Sequence, residues 1–143
     1  MPLSASGPLP KCKTMLTCER TVIDAQTGMP SLFNVFFKFR IPSQPGLTIP
    51  FSLFVQLTGG LGEYEFAAEF HDLEEGKTLR RAVGNIRMVD KLEMVNIHFN
   101  FNPIEIPHSG RYDLIVFANG QEVDQLSFEV LGTTNSGTSA PSS

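Results

Sequence analysis

Hydrophobic and polar side chains alternate along much of this chain with a period of two residues. The run 63–71 places Tyr, Phe and Ala on one face and Glu or His on the other. Runs 94–101 and 126–130 show the same alternation. This pattern is typical of antiparallel strands that bury one face and expose the other. It predicts an all-β protein.

Three further runs, 32–41, 51–57 and 112–118, are apolar on both faces. We predict that each is a strand whose more apolar face lies in the core. In the first run, the face predicted to point inward consists of Phe33, Val35, Phe37, Phe39 and Ile41.

Large apolar side chains also fall on the outward faces of these three runs. Where their strands are neighbours in one sheet, such side chains form one exposed patch, and a large apolar patch usually marks an interaction site. The alternative is that a tail, the 84–93 segment or a loop covers them. The set predicted to form a protein interface is Phe36, Phe54, Ile115 and Phe117.

Turn signals separate the runs. Asp24–Gly28 closes a first hairpin, Gly59–Gly62 joins two strands, and Asn119-Gly120 favours a type I′ turn. Seven or eight strands at this spacing indicate a two-sheet sandwich or a small barrel, and we predict an immunoglobulin-like antiparallel sandwich of about seven strands. The segment 84–93 is equally compatible with a short helix and a short strand.

Tyr112 opens a strand near the end of the chain, after Pro107–Arg111. In many immunoglobulin-like domains a Tyr in this position bonds its hydroxyl back to nearby backbone, which is the tyrosine corner. An ordinary half-buried Tyr is the alternative.

The chain of 143 residues fits one domain, which we place at 11–131. Residues 1–10 and 132–143 are rich in Pro, Ser, Thr and Gly. Such segments bury too little apolar surface to offset the entropy of ordering, so we predict flexible tails.

Composition and charge narrow the class of partner. The formal net charge is −4, and the densest basic run, 77–81, has only three cations, so nucleic-acid binding is not expected. No apolar stretch is long enough to span a bilayer, and the N-terminus lacks the pattern of a secretory signal. Twelve Phe, two Tyr and no Trp favour core packing over a wet binding groove.

Cys12 and Cys18 are the two cysteines, and we place them on one strand. Six residues of strand span roughly 20 Å, which is too far for a disulfide. Reduced thiols in a cytoplasmic protein are the simplest interpretation. No His lies near them in sequence, which argues against a catalytic thiol.

Catalytic and metal-binding motifs are not recognisable. The three histidines, His71, His98 and His108, are scattered and lack the spacing of a structural zinc site. The acidic run 71–75 lacks the alternating spacing of a calcium loop. We therefore predict no catalytic residues, no metal and no cofactor.

Three segments carry a resemblance to a known family: Cys18–Gly28, Phe54–Tyr64, and His108–Tyr112 continued through Asn119-Gly120 to Val130. Over residues 12–131 the chain resembles an uncharacterised bacterial family of small β-sandwich proteins, a domain of unknown function. The resemblance implies an immunoglobulin-like sandwich. It implies no activity and no functional residues.

Three classes of function follow. The first is a non-catalytic module that binds a protein partner or itself through a sheet face. The second binds a small ligand or carbohydrate with the end loops, and it ranks lower because stacking residues are scarce. An enzyme ranks last because it would need convergent titratable residues in a pocket.

Overall fold

The computed structural model describes residues 7–42, 47–101 and 103–133. These residues form eleven strands and no helix. The strands are β1 (Lys11–Ile23), β2 (Pro30–Phe36), β3 (Lys38–Pro42), β4 (Leu47–Ile49), β5 (Ser52–Thr58), β6 (Gly62–Asp72), β7 (Lys77–Met88), β8 (Val95–Asn100), β9 (Ile104–Ile106), β10 (Gly110–Ala118) and β11 (Gln121–Thr133).

Two sheets make up the body of the protein. One has four strands in the order β2-β1-β5-β8, and the other has five in the order β3-β11-β10-β6-β7. A small third pair joins β4 to β9. Neighbouring strands are antiparallel except β3, which runs parallel to β11. The predicted two-sheet sandwich is confirmed, with more strands than the seven or eight expected.

Aromatic side chains fill the space between the sheets. The ring of Phe51 lies 5.5 Å from that of Phe70, 5.7 Å from Phe101 and 5.4 Å from Phe128, measured between centroids. All four are buried, on the faces that alternation predicts. Phe suits this position because it carries no polar atom, and each buried ring contributes about 1.5–3 kcal/mol.

Tyr112 at the start of β10 forms the tyrosine corner. Its side chain is fully buried, and its hydroxyl donates to the carbonyl oxygen of His108 at 2.5 Å. The hydroxyl thus satisfies a backbone acceptor where the chain enters the sheet. The corner interpretation of Tyr112 is confirmed, and it is a feature of immunoglobulin-like sandwiches.

The run 32–41 does not form one strand. β2 ends at Phe36 and β3 begins at Lys38, and the two strands belong to different sheets. Phe36 points into the core, with its ring 5.8 Å from Phe51 and 6.3 Å from Phe128, so its predicted outward direction was wrong.

The inward prediction for Phe33 and Val35 was also wrong, since their side chains are 42% and 46% exposed. Phe37, between the two strands, is 49% exposed. A run that is apolar on both faces does not define its inner face by alternation alone. The side chains of residues 39 and 41 lie outside the described part of the structure.

The segment 84–93 is resolved in favour of a strand. β7 continues to Met88, and residues 89–94 form neither strand nor helix. Alternation did not reveal β7 because the middle of its inner face carries only small residues, with Ala82 opposite Ala68 and Gly84 opposite Phe66. A register shift between Phe70 and His71 interrupts the pairing as well.

The predicted tails fall largely on residues 1–6 and 134–143, which lie outside the described residues. Residues 7–10 form no strand, and the carbonyl oxygen of Pro8 accepts a hydrogen bond from the Tyr64 hydroxyl at 2.6 Å. β11 extends to Thr133, past the predicted domain boundary at residue 131.

Candidate interaction surface

The four residues predicted as an interface do not share one surface. Phe36 lies in the core, as described above. Phe54 lies on the outer face of the four-stranded sheet, between Leu16 and His98, and is only 3% exposed. Ile115 and Phe117 are half-buried neighbours on the outer face of the five-stranded sheet. Their binding to a partner stays a prediction.

The hairpin formed by β1 and β2 exposes more apolar side chains than the predicted interface residues do. β1 pairs with β5 over Lys11–Cys18 and with β2 over Thr17–Ile23. Within the described residues, the last part of β1 therefore has β2 as its one neighbouring strand. The hairpin therefore extends past Ser52, the first residue of β5.

The loop that closes this hairpin is held by its own hydrogen bonds. Oδ1 of Asp24 accepts the N–H groups of Gln26 at 2.8 Å and Thr27 at 3.0 Å. Donation from Thr27 and Gln26 lowers the pKa of Asp24. Gly28 has φ +74, which favours glycine, and donates to the Asp24 carbonyl at 2.9 Å. The predicted hairpin turn at Asp24–Gly28 is confirmed.

Five large apolar side chains are exposed on the hairpin, and we call them the apolar ribbon. Val22, Phe33 and Val35 share the outer face of the sheet. The Cα partners of Phe33 and Val35 on β1 are Arg20 and Cys18, which lie two and four residues before Val22 and so point to the same side. The ribbon consists of Val22 (45% exposed), Ile23 (40%), Met29 (66%), Phe33 (42%) and Val35 (46%).

One cation lies beside the ribbon. The guanidinium carbon of Arg20 is 4.4 Å from the centroid of the Phe33 ring, a cation–π contact. Arg20 forms no ion pair within the part of the chain described by the structure. The surface therefore combines exposed apolar groups with one positive charge that has no ion-pair partner among the described residues.

Titratable groups cluster at the sandwich end near the tyrosine corner. Asp72 is 1% exposed, and its Oδ2 lies 2.6 Å from Nε2 of His108. Its Oδ1 accepts the N–H groups of Glu74 and Glu75. We call Asp72, His108 and Tyr112 the end cluster.

Both ring nitrogens of His108 face acceptors. Nδ1 lies 2.7 Å from the Ser109 carbonyl oxygen, and Nε2 faces the Asp72 carboxylate. The bond to Ser109, together with the bond to and charge of Asp72, raises the pKa of His108. This geometry suits the imidazolium, which donates from both nitrogens.

The hydrogen bonds of the end cluster join parts of the chain to one another and so stabilise the fold. Burial raises the pKa of Tyr112 to about 12, so its phenol stays protonated and donates to the backbone. Each oxygen of Asp72 is already bonded within the chain. The cluster offers no unsatisfied group to a substrate.

The remaining candidate side chains lie apart. His98 is on the outer face of the four-stranded sheet, and His71 is on the five-stranded sheet, 2.8 Å from Oε1 of Glu69. No three His, Cys, Asp or Glu side chains among the described residues are placed to hold a metal ion.

Cys12 and Cys18 are both free thiols on β1, as the spacing predicts. Burial, aided by the charge of Asp124, raises the pKa of Cys12 to about 11. That shift disfavours the thiolate needed for nucleophilic chemistry.

The apolar ribbon was not found by sequence reasoning. The turn was visible, but the exposure of Phe33 and Val35 depends on where β5 ends relative to β1. The one local signal is β2 itself, which has apolar residues on both faces and no charged residue.

Taken together, the fold and this surface define an immunoglobulin-like β-sandwich whose candidate site is a projecting hairpin. Residues 13–131 match the model of DUF6941, a family of unknown function, and the chain belongs to this family. The resemblance to a family of unknown function is thereby confirmed.

A solved structure is also similar to this chain. It is the crystal structure of an immunoglobulin-like protein from Pseudomonas aeruginosa, with 14% sequence identity, 85% of this chain and 95% of that chain covered, and a TM-score of 0.42. A search among curated proteins found no match. None of the described residues forms a helix suited to crossing a membrane.

Proposed function

We propose that this protein is a non-catalytic interaction module that binds another protein, or a second copy of itself, through the apolar ribbon. The observation that carries the proposal is the exposure of five large apolar side chains on one ordered hairpin, three of which, Val22, Phe33 and Val35, share one face. Exposed apolar side chains scattered singly are ordinary, but a contiguous set usually marks an interaction site.

The position of the ribbon supports the same function. A two-stranded hairpin is marginally stable by itself in water. The end of this hairpin has no third strand beside it within the described residues. A partner that covers Val22, Phe33 and Val35 would therefore stabilise the hairpin while burying its apolar groups.

A ligand-binding function finds less support. At the end cluster the polar side chains bond to one another and to nearby backbone. A ligand site needs a few polar groups that point into a cavity and are free to bond. The two free thiols support a reducing compartment such as the cytoplasm.

The experiment is light scattering combined with partner capture, using a Val22→Ser/Phe33→Ser double variant. We expect the wild-type chain to associate, with itself or with a captured protein, and the double variant to lose that association. The matched control is Leu61→Ser, which alters a side chain of similar exposure (44%) in the turn between β5 and β6, away from the ribbon.

The result that would overturn the proposal is equally defined. It is a wild-type chain that stays monomeric at high concentration and whose captured proteins are the same for wild type, double variant and control. Retention of a native melting transition in the double variant shows that any loss is not due to unfolding.

A further inference from the structure

β7 is a long strand at the free edge of the five-stranded sheet. It runs for 12 residues and pairs with β6 alone among the described strands. Its sequence holds four cations, Lys77, Arg80, Arg81 and Arg87, and no acidic residue. The whole chain has a net charge of −4, so this strand is opposite in sign to the chain as a whole.

The cations of β7 do not all face the same way. Arg80 turns across the sandwich, with Nη2 donating to the Pro103 carbonyl at 2.9 Å. Arg81 and Arg87 have Glu69 and Glu63 as their Cα partners on β6, and Nε of Arg81 donates to Oε2 of Glu69 at 3.2 Å. Both arginine side chains are nevertheless exposed. Two cations six residues apart therefore border one face of the edge.

The centre of the edge is uncharged and unobstructed. Val83 lies between the two arginines and is 47% exposed. Gly84 carries no side chain, and a Cβ built there would have no atom within 4 Å. Residues 82–86 contain no proline, so the backbone can accept another strand.

Charge decides which strand this edge accepts. A second copy of β7 pairing antiparallel about Gly84 would place Arg81 opposite Arg87 twice, and like charges directly opposite are destabilising. A strand with carboxylates at those two positions would instead form two cross-strand ion pairs. In this register the charges therefore disfavour a second copy of β7 and favour an acidic strand.

We propose that β7 binds an extended acidic segment of a partner protein by strand addition. The segment lays carboxylates against Arg81 and Arg87 and an apolar side chain beside Val83. Main-chain hydrogen bonds supply affinity in this mode, and the alternating side chains supply specificity. This site is separate from the apolar ribbon and does not rest on it.

The test uses a labelled peptide, Glu-Thr-Val-Thr-Val-Thr-Glu, whose order of residues is the same in either strand direction. Its binding to the full chain is followed by fluorescence anisotropy. We expect saturable binding that weakens with salt, and at least tenfold weaker binding of the peptide with Lys in place of Glu.

Charge reversal of the protein separates specific pairing from general attraction. The Arg81→Glu/Arg87→Glu variant should prefer the Lys peptide to the Glu peptide. The matched control is Arg111→Glu, an exposed cation on β10, which is an interior strand. It should retain the wild-type preference. A melting curve for each variant establishes that it is folded.

Two N-methylated peptides test strand addition itself. In one peptide the Thr amides are methylated, and in the other the Glu and Val amides are methylated. Because alternate amides of a strand point to the same side, only one of these two sets faces β7, and methylation of that set blocks the hydrogen bonds to β7. We expect one peptide to lose binding and the other to keep it. Equal binding of both, absence of binding by the unmodified peptide, or indifference to the double charge reversal would each overturn the proposal.

Discussion

The end cluster and the apolar ribbon belong to one fold, but their side chains have opposite surroundings. Asp72 and Tyr112 are almost fully buried, and their polar atoms bond within the chain. The apolar side chains of the ribbon remain 40–66% exposed in the described part of the structure. The first arrangement stabilises the folded chain, and the second is the basis of the proposed binding of a partner.

Removal of the Asp72 carboxylate should give the largest effect. Asp72→Ala leaves the N–H groups of Glu74 and Glu75 and the ring of His108 without their acceptor. We expect the free energy of unfolding to fall by about 3 kcal/mol, measured by urea denaturation.

The control is Asp113→Ala, on the outer face of the same sheet, where the carboxylate accepts the Ser127 hydroxyl at 2.6 Å. That bond is exposed, so its loss should cost less than about 1 kcal/mol. Equal losses for the two variants would contradict the inference that the buried Asp72 carboxylate stabilises the fold more than the exposed Asp113 carboxylate.

Tyr112→Phe should give a smaller loss. The ring stays, but the His108 carbonyl loses the donor that lies 2.5 Å away. We expect a decrease of about 1–2 kcal/mol in the free energy of unfolding, by the same denaturation assay. Phe70→Leu, which changes packing and no hydrogen bond, provides a comparison. A Tyr112→Phe variant as stable as wild type would mean that the corner bond is not stabilising.

The pH dependence of stability should report on His108. Its pKa is raised in the folded chain, so its contribution is fully present below the unfolded value of about 6.5. The contribution is lost as the pH rises through the folded pKa. We therefore expect the stability difference between wild type and His108→Gln to be larger at pH 5.5 than at pH 8.5.

His98→Gln is the matched control, since that side chain is exposed on the outer face of the other sheet. It should leave the stability difference between the two pH values unchanged. A parallel response of both variants would assign the pH dependence to something other than the end cluster.

Local alternation identified the inner face of runs that have one clearly polar face, but it failed for the run 32–41. Phe70 and Phe128 lie within runs in which one face is clearly polar, so their burial was predictable. Phe36 lies within a run that is apolar on both faces, and its direction depends on the change of sheet at Phe37. Sequence periodicity holds no information about such a change.

The candidate sites depend on contacts between distant parts of the chain. Asp72 and His108 are 36 residues apart in sequence, and each taken alone resembles an ordinary turn residue. The exposure of the ribbon depends on β5 pairing with β1 only as far as Cys18. The free edge of β7 likewise follows from the strand order of the sheet. These features come from register and topology, which one sequence does not specify.

The smallest effect on monomer stability should come from the ribbon. Met29 and Val35 are exposed, so Met29→Ser and Val35→Thr should each change the free energy of unfolding by no more than about 0.5 kcal/mol at low concentration. At high concentration a self-associating wild type would melt at a higher temperature, because association stabilises the folded chain by mass action, and the variants would lose that shift. A large loss at low concentration would instead mean that these side chains stabilise the monomer, and the contrast between the two regions would fail.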